Sequence, residues 1–245
     1  MAKRPDSVPT PTGQNQPAAT SSRADIDAFL QQVKSLEPAG ATGARGRLIF
    51  ALDATMSRQP TWDMASRLQA EMFATVAAIG GLDVQLVYFR GLSECRASRW
   101  VSDARELGGL MEGIDCRTGN TQIAKVLAHA RREGERGKIA ALVYVGDAME
   151  ESQDTLAARA GELALLGVRA FVFQEGHDGV AEHAFREVAR LTGGAYCRFA
   201  AGAAHELSEL LRAAAAYAAG GIKALDDLSA RQSQGAIRLL AQMRT

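Results

Sequence analysis

Cysteine is scarce in this chain of 245 residues: only Cys95, Cys116 and Cys197 occur. They are odd in number and form no CxxC pair, which excludes a disulfide framework and a thiolate zinc site and points to a reducing compartment. Excess charge of either sign is missing too, with 28 Lys and Arg against 28 Asp and Glu. That balance removes the electrostatic footprint of a nucleic-acid binder and gives no reason to expect an anionic membrane surface. Long apolar runs are lacking. The longest uncharged stretch near the C-terminus, Ala213 to Ile222, is ten residues of mostly alanine, half of the roughly 20 a bilayer crossing needs. The N-terminal stretch MAKRPDSVPTPTGQNQPAATSS has basic residues without an apolar run behind them, unlike a secretory signal. These absences together lead to the expectation of a cytoplasmic protein. Proline is confined as well: four of the six lie in the first 17 residues, and none follows Pro60.

What is present is ordinary globular material, 47% apolar and 23% charged. Residues 1–22, rich in Pro, Thr, Ser, Gln and Asn, are expected to form a loose tail. Residues 23–45 hold an apolar stripe at Ile26, Phe29, Leu30, Val33 and Leu36, which predicts a helix, followed by a glycine-rich linker. From Leu48 strand and helix patterns alternate, beginning with the continuous apolar run Leu48–Leu52 of a strand buried on both faces. Strands are predicted at 84–90, 95–101, 139–145, 168–174 and 195–199, and helices at 61–79, 103–114, 122–135, 153–166, 180–191 and 203–219. Repeated β-α units demand a mostly parallel sheet. Only four residues separate the strands at 84–90 and 95–101, too few for a crossover, so that pair must be antiparallel. The fold class expected is α/β: a three-layer, doubly wound, Rossmann-like sheet of six strands, mostly parallel, with one antiparallel edge strand and helices on both faces. Residues 220–245 are read as a C-terminal helical extension that packs on the core or docks a partner.

In open α/β sheets, ligands bind beyond the carboxyl ends of the strands where the winding reverses. Two strands end in an acid, LIFALD at Asp53 and ALVYVGD at Asp147. Asp53 opens the loop Asp53-Ala54-Thr55-Met56-Ser57, with oxygen side chains at alternate positions, and a further loop, 117–121, leads into a helix. Carboxylates and hydroxyls without His or Cys nearby are hard ligands suited to Mg2+ or Mn2+ rather than zinc. The plainer alternative is that both aspartates only cap helices or solvate loop ends.

DATMS resembles the DxSxS signature of von Willebrand factor A-type (VWA) domains, where it forms the metal-ion-dependent adhesion site, or MIDAS. Thr121-Gln122-Ile123-Ala124-Lys125-Val126-Leu127 is similar to the family's second motif, a threonine at a helix start. Val143-Tyr144-Val145-Gly146-Asp147 is similar to its third. The resemblance covers roughly residues 46–219 and departs at Thr55 for serine, Asn120 for glycine and Ala148 for glycine. Thr118 competes for the threonine position, and Thr121 is preferred because the helix begins directly after it. The resemblance implies Mg2+ or Mn2+ held by Asp53, Thr55, Ser57, Thr121 and Asp147. An open coordination position would take an Asp or Glu carboxylate of a partner protein. It implies a non-enzymatic adaptor in a cytoplasmic assembly, its partner an AAA-type ATPase or a chaperone, with no role for nucleic acid or membrane.

The alternative is a haloacid-dehalogenase-like Mg2+-dependent phosphohydrolase. There Asp53 would attack phosphorus, Thr118 would bind phosphate, Lys138 would balance charge, and Asp147 with Glu150 or Glu151 would hold the metal. Against it, the acid usual two residues after such a nucleophile is Thr55, and the helix starts too soon after DATMS to leave room for a flap.

Overall fold

The structure, a computed structural model, describes residues 45–243. The expected tail over 1–22 and, apart from Arg45, the expected helix and linker over 23–45 lie outside the described residues. The six strands are β1 (Gly46–Asp53), β2 (Leu82–Arg90), β3 (Glu94–Val101), β4 (Ala141–Gly146), β5 (Arg169–Glu175) and β6 (Ala195–Phe199). They lie in the order β3-β2-β1-β4-β5-β6, all parallel except β3, which runs antiparallel at the edge. The doubly wound α/β architecture is therefore as the sequence pattern predicts. β1 and β4 are central, which is why GRLIFALD and ALVYVG are apolar without alternation and almost wholly buried. The edge strand β3 is mostly part-exposed and carries charge, as a blunted edge should.

Helices α1 (Gln59–Val76), α2 (Ala104–Glu112), α6 (Ala204–Ala230) and α7 (Gln234–Met243) bring Met72, Leu107, Leu211 and Leu239 against Leu48, Phe50 and Leu52. Helices α3 (Ile123–Arg136), α4 (Gln153–Leu165) and α5 (Gly179–Leu191) pack Leu127, Leu156 and Phe185 against Ile49 and Ala51 on the other face. The two cores are the alternate side chains of the same strands, separated by the sheet. Gly46 lets α6 press directly on β1: a Cβ there would stand 2.2 Å from the Ala218 carbonyl oxygen.

The chain does not leave the core at residue 219, where the sequence pattern suggested a boundary. Helix α6 continues to Ala230, bent at Gly221, whose φ of 66° and ψ of −157° suit glycine alone. Leu225, Leu239 and Leu240 are then buried in the same core as the sheet. Helix α7 also closes the β6 edge. The Tyr196 backbone N–H donates to Gln242 Oε1 at 2.9 Å, and Gln242 Nε2 donates to the Tyr196 carbonyl at 2.7 Å. One side-chain amide thus stands in for the next strand of the ladder. The apolar positions expected over 220–245 thus pack on the core, one of the two readings the sequence allowed, filling space the sheet leaves open.

Leu239 is fully buried, so Leu239→Ala is expected to destabilise the protein by about 2–5 kcal/mol. Denaturant unfolding measures this, and a loss below 1 kcal/mol, roughly a surface effect, would show that α7 is not part of the core.

Candidate metal centre

From β1 the chain winds outward to β2 and β3, then returns across the sheet to β4 and winds the other way to β5 and β6. The reversal opens a crevice between the carboxyl ends of β1 and β4. Leu52 pairs with Val145 at the last shared register position, so Asp53 and the Gly146-Asp147 pair leave the sheet side by side. The loop after β1 is short because it is held locally. Asp53 Oδ1 accepts the Thr55 N–H at 2.7 Å, turning the chain, and Met56–Arg58 form a 3-10 turn. Pro60 then sits in the first turn of α1, where its missing N–H costs nothing. Asp53, Thr55 and Thr121 are buried, Asp147 is half-buried and Ser57 is exposed.

The loop carrying Thr121 is tied to the same end of the sheet. The Arg117 N–H donates to the Ala54 carbonyl at 2.9 Å, and the Asn120 N–H to the Gly91 carbonyl at 3.2 Å. Gly91, at φ +61°, forms the β2–β3 turn and meets Gly119 so closely that a Cβ on Gly119 would lie 2.2 Å from the Gly91 carbonyl oxygen. Thr121 itself bonds the loop beyond β4. Its N–H and hydroxyl face Glu150 Oε2 at 2.9 and 3.2 Å, and its hydroxyl oxygen accepts the Glu150 N–H at 3.2 Å. Glu151 caps α3, accepting the N–H of Ala124 at 3.0 Å and that of Ile123. These carboxylates at a helix N-terminus satisfy orphan donors and the helix dipole together.

Two functional candidates were missed from sequence, Arg58 and Glu175, while Glu150 and Glu151, named there only for the phosphohydrolase alternative, instead bond Thr121 and cap α3. The Arg58 side chain is buried between strand ends. Its Nη1 donates to Glu175 Oε2 at 2.7 Å, and the Thr61 hydroxyl donates to the same carboxylate oxygen. Its Nε lies 3.4 Å from Asp147 Oδ2, yet it is buried without a hydrogen-bonded acceptor. That contact is Coulombic attraction without bond geometry. A signal for Glu175 was available, because it ends a buried apolar strand in an acid just as Asp53 does.

The electrostatics of the crevice are unbalanced. Burial pushes the Asp53 carboxyl up from an ordinary 3.8 to about 6; the Thr55 bonds and Arg58 pull it down, and neighbouring Asp147 pushes it up. Counted as ionised, Asp53, Asp147 and Glu175 face a single guanidinium, an excess of two negative charges. The wholly buried Tyr144 hydroxyl has no hydrogen-bond partner among the described residues. A hard divalent cation fits both the charge deficit and the donor set: Asp53, Thr55 and Asp147 in the crevice, with the Ser57 hydroxyl on the exposed turn. The Thr121 hydroxyl is engaged with Glu150 instead. Among the described residues no cluster of three or more His, Cys, Asp or Glu side chains is arranged for a metal, so such an ion would depend on hydroxyls and water.

The phosphohydrolase alternative loses its lysine. Lys138 precedes β4 at the amino end of the sheet, whereas Asp53 and Asp147 stand at the carboxyl end. The six residues of β4 separate the two ends by about 20 Å. Thr118 is exposed on its loop.

No family model matches the sequence, and no curated protein is significantly similar to it. Solved structures do match. A von Willebrand factor type A protein from Catenulispora acidiphila superposes with a TM-score of 0.58 at 18% identity, over 72% of this chain and 43% of that one. The SpRpn10 VWA domain gives 0.52 at 12% identity, over 73% and 98%. Proximal thread matrix protein 1 from the mussel byssus, solved with a zinc-occupied MIDAS motif, gives 0.57 at 14% identity, over 80% and 52%. This chain thus spans about half or less of two of these proteins. The fold is the VWA fold. No helix among the described residues is long and apolar enough to cross a membrane.

A carboxyl raised by burial stays protonated in the folded state after its unfolded counterpart has ionised. In metal-free protein Asp53's contribution to stability is therefore expected to fall by about 2 kcal/mol as pH rises from about 4 to about 6. Denaturant melts in EDTA should show this loss in the wild type and a flatter profile for Asp53→Asn; parallel profiles would refute the buried charge.

Proposed function

We propose that this chain is a VWA-type protein-interaction module whose binding centre is the crevice between β1 and β4, and that it works with Mg2+ or Mn2+. The observation that carries the reading is the uncompensated charge at the switch point: a buried Asp53 beside Asp147, with only Arg58 opposing them. Asp53, Thr55, Ser57 and Asp147 would hold the ion, and Thr121 would join them by exchanging its bond to Glu150. A bound divalent ion supplies Lewis acidity toward an anionic oxygen. The chain's own residues position it: the 3-10 turn orients Thr55 and Ser57, and the parallel pairing of β1 with β4 sets the two aspartates together. Few direct anionic ligands leave the ion avid for a further carboxylate, so the partner is a protein presenting an Asp or Glu side chain. The setting is a cytoplasmic assembly in which the chain is an adaptor. The likeness in fold to a mussel protein solved with a zinc-occupied MIDAS motif supports a divalent ion for this reading.

Thermal melts test the metal, and affinity capture tests the partner. Mg2+ or Mn2+ at millimolar concentration should raise the midpoint of the wild type by several degrees, as expected for an ion bound about 100-fold above its Kd. It should leave Asp53→Ala unmoved. Partner capture should be lost both in EDTA and in Asp53→Ala. Identical wild-type midpoints with metal and with EDTA would overturn the reading.

A further inference from the structure

Arg58 sits where an incoming cation would have to go. Its guanidinium is anchored on one side by Glu175 at 2.7 Å, with Thr61 bonded to the same carboxylate, and it reaches Asp147 on the other side at 3.4 Å. The two halves of the contact differ in quality. Toward Glu175 the geometry is that of a charge-assisted hydrogen bond between buried groups. Toward Asp147 the Nε is buried but unbonded, so its attraction to that carboxylate is unsatisfied and readily given up. Asp147 is also the more exposed acid, with 31% of its side chain accessible against 6% for Glu175. A solvent-borne ion therefore competes with Arg58 for Asp147 and leaves the Glu175 contact alone.

Resting on the metal-binding reading above, we infer that Arg58 is the resident counter-ion of the crevice and sets its metal affinity. Asp147 is shared between the guanidinium and the divalent ion, while Glu175 and Thr61 hold Arg58 back so that the exchange can occur. In the metal-free protein Arg58 tempers the repulsion between Asp53 and Asp147, and in the loaded protein the ion takes that role. The guanidinium stays nearby as a standing positive charge. The site is thereby biased toward weak, readily reversed metal loading.

The test uses the full chain titrated with Mn2+ and with Mg2+ by calorimetry, alongside thermal melts. Arg58→Met alone strands Glu175 as a buried charge and is prone to misfold, so the informative variants are Arg58→Met/Glu175→Gln and Glu175→Gln. The double variant loses the guanidinium with its anchor and should bind Mn2+ about tenfold tighter, because no positive charge then competes with the ion for Asp147. Glu175→Gln alone releases Arg58 onto Asp147 and should weaken Mn2+ binding several-fold. Equal or weaker binding by the double variant overturns the inference while the metal reading stands. Binding by the double variant but not the wild type supports the inference and overturns the metal reading for the native chain. Absence of binding in both overturns the two together.

Discussion

A carboxylate at the end of a buried parallel strand has nowhere inexpensive to go, and this end of the molecule is arranged around that fact. Asp53 is 3% exposed, on a strand flanked by β2 and β4. Ionised, it loses most of its hydration, and a single backbone N–H cannot replace it. Asp147 beside it makes matters worse. Such a pair persists only where a compensating charge is at hand, permanently or on demand. Arg58 provides a part of that compensation, shared with Glu175, and the remaining deficit matches one divalent ion. A chain using these positions for packing alone would do better with neutral side chains.

The scaffold holds this charge in place through backbone more than side chain. The parallel register of β1 with β4 sets the spacing of the aspartates, and Gly119 lets the Thr121 loop approach the β2–β3 turn at Gly91 so closely that a Cβ on Gly119 is excluded. Away from the crevice, the fold spends its remaining length on closure. The β3 edge is charged and irregular, and the β6 edge is covered by Gln242 from α7. An exposed strand edge beside a sticky ion would invite unspecific pairing; both edges are blunted.

The layered fold was legible because its signals are local. Apolar runs such as Leu48–Leu52 mark central strands, and the short 91–93 connection forces β3 antiparallel. The positions of Asp53, Thr55 and Asp147 at the switch point were legible as well, since strand-end acids after apolar runs have few other uses. Arg58 was not. In sequence it is one charged residue at the head of an amphipathic helix, indistinguishable from a solvated one. Its burial follows from Glu175, 117 positions away, and long-range pairing leaves no periodic trace. Helix α7 was legible as part of a C-terminal helical extension, but its place at the β6 edge was not, because that surface exists only once the sheet is assembled.

The two acids after Asp147 extend the same logic. Glu150 holds both the N–H and the hydroxyl of Thr121, and Glu151 caps the helix that Thr121 introduces. The loop beyond β4 and the loop before α3 are therefore one hydrogen-bonded unit, spanning the strand-end carboxylate and the helix-start hydroxyl. Thr121 is thereby fixed to the loop that carries Asp147. On the opposite wall, Asp147 meets Arg58, which stands on the turn directly after Ser57. The turn after β1 and the loop beyond β4 thus meet at Asp147, the half-exposed acid.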